Sequence, residues 1–109
     1  MTNRVFRLAA RPVGAPKPSD WTFAEEAVPT PGQGQFLVRV ELISLDPAMR
    51  GWMNEGKSYV PPVKLGEVMR AGGLGRVVAS EHPVFPVGAA VNGAFGVQDY
   101  ALSDGRGVV

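Results

Sequence analysis

Glycine and proline interrupt this chain too often for a long regular element to persist. Fourteen glycines and ten prolines fall at short intervals along 109 residues, with no low-complexity tract and no internal repeat. Proline removes a backbone donor and glycine favours turns and bulges, so this spacing dictates short strands joined by turns. A chain of this length holds one small domain with a single core.

The residues that are missing narrow the chemistry. There is no cysteine and a single histidine, His82. A disulfide, a thiol nucleophile or a zinc site of the usual nitrogen and sulfur ligands cannot be assembled from such a set. His82 sits in the turn-like Ser80-Glu81-His82-Pro83 and reads as a solvated loop histidine rather than a triad base. The net charge is +1 and the basic residues are scattered, which argues against nucleic acid because phosphate binding needs concentrated positive charge. No apolar run approaches the roughly 20 residues that cross a bilayer. The start, MTNRVFRLAARP, has no signal-peptide core, so a cytoplasmic location is the default expectation.

The clearest periodicity lies at 35–45, where Phe36, Val38, Val40 and Leu42 alternate with Arg39 and Glu41. That period of two predicts a half-buried strand. Further strands are expected at 4–8, at 21–28 as an edge, in the β-prone run ending 68–80, after a turn at Pro86–Gly88 within 84–91, and at 97–102. Residues 12–19 read as loop. Asp46-Pro47 breaks the long strand and suits the start of a short helix over 48–54, aspartate capping and proline in the first turn. Gly51 weakens that helix, and 55–62 reads as a loop ending in a double proline. The sum is a mainly β domain, a partly open β-barrel with one or two short helices.

Ala71-Gly72-Gly73-Leu74-Gly75 imitates a nucleotide-binding loop. A dinucleotide fingerprint needs Gly-x-Gly-x-x-Gly between a strand and a helix, so that pyrophosphate meets helix N–H groups. Here Val78 stands in the third glycine's place, Arg76-Val77-Val78 favour strand, and no P-loop lysine follows. A bulge where two backbones approach closely is the expected role.

Three stretches together resemble the zinc-free medium-chain dehydrogenase/reductase family, in its leukotriene/prostaglandin, curcumin and alkenal double-bond reductase group. Ser44-Leu45-Asp46-Pro47-Ala48-Met49-Arg50 is similar to that group's S-x-D-P-x-M-R signature. Gly73 to Val78 is similar to its G-x-G-x-V-V barrel segment, and Gly96-Val97-Gln98-Asp99-Tyr100 to its G-x-Q-[ED]-Y segment. The order agrees from about residue 3 to the end. Aligning the glycines puts Ala71 and Gly72 where zinc-dependent relatives carry His and Glu, so the resemblance also implies no catalytic zinc.

The resemblance implies that 1–109 is a GroES-like, N-terminal, substrate-side domain, with the Rossmann cofactor domain absent from this chain. The complete, homodimeric enzyme would transfer hydride from NADPH to the β-carbon of an enone or enal, and the isolated domain would be inactive. NADPH would be bound mainly by the absent domain, which also carries the catalytic tyrosine, so no catalytic residue is assigned here. Pro47 and Met49 are the implied cofactor contacts; Met49, Tyr59, Phe95 and Gly96 are the implied substrate contacts.

Each of these positions has a plainer reading. Asp46 could serve only as a cap, Arg50 could pair with a surface carboxylate, Tyr59 could pack on the double proline, and Phe95 could belong to the core. Gln98 and Tyr100 read as structural, and Trp52 needs no special role. Ala48 replaces an aromatic residue common in the group, which puts substrate preference in question. Two rival functions share the fold: a stand-alone GroES-like binding module, and a quinone reductase of the same superfamily. A barrel separated from its partner domain should expose an apolar docking patch.

Overall fold

The computed structural model describes residues 2–45, 48–54 and 61–109. Strands β1 (Thr2–Leu8) and β2 (Trp21–Ala27) pair antiparallel, with Phe6 opposite Phe23. A 3-10 turn at Pro18–Asp20 leads into β2. Strands β3 (Phe36–Ile43), β4 (Gly73–Ser80), β5 (Ala90–Gly93) and β6 (Tyr100–Ser103) form an antiparallel sheet in the order β5-β4-β3-β6. The α-helix found among the described residues is α1 (Ala48–Trp52). These are the short elements that the glycine and proline spacing requires.

Irregular segments stitch the two sheets together. Phe6 N–H donates to Val97 O and Met69 N–H donates to Phe6 O, so 67–69 and 96–98 run along β1 on the side away from β2. The result is mainly β and GroES-like, a barrel that does not close.

Two apolar clusters make up the interior. Phe36, Val38, Val77, Val91, Phe95 and Ala101 fill the four-stranded sheet, while Leu8, Met53, Val63 and Met69 pack beneath α1. The alternation expected along 35–45 holds at Phe36 and Val38, both fully buried, and fails at Leu42, which is 63% exposed. Register shifts at Leu37/Val38 and Val40/Leu42 explain the failure: each irregular step turns the rest of the strand out of phase with its partner.

The glycines of β4 work as packing residues. A Cβ on Gly73 would lie 2.7 Å from the Leu42 carbonyl oxygen. One on Gly75 would lie 2.7 Å from Val38 Cγ1 and nearer still to the Arg39 carbonyl oxygen. Only hydrogen fits between β3 and β4 at these points, which is the bulged close approach anticipated from the sequence. His82 is more embedded than its turn-like context implies. Its ring stands edge-on to Phe36 and Phe85, and its Nδ1 accepts from Val84 N–H.

Candidate functional site

An apolar groove of about 640 Å³ opens between the β1–β2 sheet, the end of β3 and α1. Met53, Met69 and Val97 line its inner part, with Met53 and Met69 at most 5% exposed. Phe6, Trp21 and Pro16 line one side, and Ile43, Leu45 and Met49 the other. Leu45 is 83% exposed and Phe6 39%, so large apolar surface lies open here. Three methionines in one groove give it a soft, adaptable lining suited to flat or irregular apolar groups.

Arg50 is the one charged side chain among the groove-lining residues. Its guanidinium donates to the carbonyls of Pro12 and Gly14 and to Asn54 Oδ1. It thus ties α1 to the loop that carries Pro16, and its charge also helps to lower the Asp20 carboxyl.

Of the residues singled out in the sequence, Met49 lies in the groove. Phe95 does not; it is 4% exposed and packs in the core cluster with Phe36. Gly96 adopts φ +82°, a left-handed conformation that glycine tolerates, and donates its N–H to Ala71 O. That turn delivers Val97 to the groove, a role the sequence did not reveal. Phe6, Trp21, Met53 and Met69 were likewise missed, since nothing local distinguishes them from ordinary core residues. Pro47, Tyr59 and the proposed Asp46 cap lie outside the described residues. Gln98 is structural: it accepts from Asn3 Nδ2 and donates to Phe95 O.

Ion pairs brace the surrounding frame. Arg4 grips Asp99 at 2.8 Å, and its hydrogen bonds hold the Asp99 carboxyl below the usual range. Asp20, 1% exposed, accepts from the Lys17 backbone N–H, which lowers its carboxyl as well, with the Lys17 ammonium helping. Glu26 is lowered by its hydrogen bonds with Arg7. Arg4–Asp99 ties β1 to the segment entering β6, Lys17–Asp20 closes the turn before β2, and Arg7–Glu26 joins β1 to β2. Among the described residues no cluster of three His, Cys, Asp or Glu could hold a metal ion, and no helix is long and apolar enough to cross a membrane.

An open, mainly β barrel with short helices and an apolar groove under α1 is a GroES-like domain. Residues 4–109 match the family described as the N-terminal domain of oxidoreductase. The NADPH-dependent curcumin reductase of Escherichia coli K12 is 49% identical over 107 residues, which is 98% of this chain and 31% of that protein. The crystal structure of CurA from Vibrio vulnificus superposes with a TM-score of 0.92 at 50% identity, covering 97% of this chain and 31% of that one. The same protein in complex with NADPH gives 0.88 at 48% identity, over 94% of this chain and 30% of that one. The chain belongs to this family of oxidoreductase N-terminal domains, in the medium-chain reductase group that includes curcumin and prostaglandin reductases. It spans about 31% of the length of the curcumin reductase it matches.

Proposed function

We propose that this chain is the substrate-side domain of a zinc-independent, NADPH-dependent reductase acting on carbon–carbon double bonds conjugated to a carbonyl. The observation that carries the reading is the apolar groove with Met49, from the S-x-D-P-x-M-R stretch, in its wall. A relative whose name specifies NADPH, and a related structure solved with it, support the choice of cofactor.

The groove suits the flat, uncharged end of such a cofactor beside an enone. The phosphates have no cradle among the glycines of β4, because backbone and Val38 already occupy that space. A Rossmann domain outside this chain is the part we assign to them. When bound, the reduced nicotinamide supplies hydride for the β-carbon of the enone. Met49 would contact the nicotinamide edge and the substrate, and Pro47 is assigned to the cofactor as well. Met53, Met69 and Val97 would exclude water from the double bond, and Arg50 would hold the Pro16 wall in place. In this reading Tyr59 and Gly96 border the substrate, and Phe95 supports Gly96 from the core. The full enzyme would be a cytoplasmic homodimer, and the chain alone would not turn over.

The test is NADPH oxidation by the full-length parent protein against enals, ring enones and quinones. Enone- or enal-dependent oxidation without added zinc, absent from the 109-residue chain, is the expected result. A preference for quinones would move the substrate class. Tight NADPH binding or stoichiometric zinc in the isolated chain would overturn the division of labour.

A further inference from the structure

We propose that the cross-strand pair Phe6–Phe23 is a second subsite of the groove, one that takes the uncharged apolar arm of a long unsaturated ketone. The reacting end of that ligand follows from the reductase reading, whereas the arm subsite depends only on the shape of this chain. A second depression of about 320 Å³ adjoins the groove and shares Phe6, Ile43 and Val97 with it. The two form one trough along β1. Phe23 and Leu42 complete its apolar walls, and Arg4, Gln98 and Asp99 lie at the end away from the groove.

The outer face of an antiparallel hairpin is ordinarily polar. Along β1 that pattern holds at Thr2 and Arg4 and breaks at Phe6. Phe6 stands opposite Phe23, with ring centroids 5.1 Å apart and planes tilted by 52°. The two residues stay 39% and 54% exposed, so much of each ring is free to cover a ligand. Trp21, two residues before Phe23 on β2, belongs to the groove. Residues two apart on one strand face are about 7 Å from each other, so the aromatic surface continues by that distance beyond the groove wall. On the facing side, the register shift between Val40 and Leu42 lets the consecutive Leu42 and Ile43 both line the depression, since a bulge re-aims the side chain beside it.

The charges of the depression are matched within the fold. Arg4 pairs with Asp99 and Glu41 with Arg76, which leaves aromatic and aliphatic surface to select a neutral arm over an anionic one. A methylene taken fully out of water raises affinity about fourfold. In a trough open on one side, four extra methylenes should therefore give roughly tenfold.

The experiment begins with an NMR titration of the 109-residue chain with 2-pentanone and, separately, 2-nonanone. The shorter ketone is expected to shift the Met49 methyl, and the longer one to shift both that methyl and the Phe23 ring saturably, binding roughly tenfold more tightly. In Phe23→Ala the preference for the longer ketone should fall about threefold or more. Phe23→Thr, which keeps a residue suited to a strand, gives the same reading if the alanine variant misfolds. A Phe23 ring that 2-nonanone leaves unmoved, or a preference that survives both substitutions, would overturn the subsite. In the full-length parent, the ratio of kcat/KM for 3-nonen-2-one over 3-penten-2-one should fall by a similar factor in Phe23→Ala, through KM. Reduction of neither ketone would defeat the reductase reading and leave the binding result standing. A ratio in the parent that ignores Phe23 would show the pair to be covered by the rest of that protein, and the subsite would be wrong.

Discussion

Adding one methyl group at Gly75 tests the central packing claim. An alanine Cβ there would stand 2.7 Å from Val38 Cγ1 and closer to the Arg39 carbonyl oxygen, so β3 and β4 would have to move apart. Overpacking of this kind costs about 1–3 kcal/mol, and a backbone obstacle on a paired strand places it at the upper end. The lower entropy of the unfolded alanine chain returns about 0.4–1 kcal/mol. The net loss is about 2 kcal/mol, which for a domain of this size lowers Tm by about 10 °C. Gly51→Ala supplies the control, since no atom lies within 4 Å of its Cβ position in α1. That change should gain up to about 1 kcal/mol. Thermal unfolding followed by circular dichroism separates the two variants. If Gly75→Ala melts within about 2 °C of wild type, the strands do not approach as described, and the glycine must be there for another reason.

Arg50→Gln removes the tie between α1 and the Pro12–Gly14 loop. Stability should fall by about 1–2 kcal/mol, while amide exchange around 13–16 quickens and an apolar dye binds the groove less tightly. Acid stability follows from Asp20, Asp99 and Glu26, whose carboxyls are all held below their ordinary values in the fold. Groups of this kind stabilise the folded state above the unfolded carboxylate pKa of about 4 and lose that contribution as pH falls through their folded values. The chain should therefore be flat in stability above about pH 5 and unfold progressively below about pH 4, and Asp99→Asn should flatten part of that slope in an acid titration followed by fluorescence.

The local sequence determined the class of fold. Short elements follow from where glycine and proline fall, the strand at 36–43 follows from its alternation, and the S-x-D-P-x-M-R stretch pointed to the family. Failure of the nucleotide-loop reading was legible too, since β formers follow Gly75 where a helix would have to start. Tertiary structure alone decided which side chains meet. The groove joins Phe6, Trp21, Met49, Met69 and Val97 from opposite ends of the chain, and Arg4 finds Asp99 at a separation of 95 residues. It also turned Leu42 outward, buried Phe95 and gave Arg50 carbonyl partners. Periodicity reports which residues share a face of one strand, because it arises from the geometry of a single backbone. Pairing register, bulges and the meeting of distant segments depend on where two backbones can approach, and no local pattern encodes that.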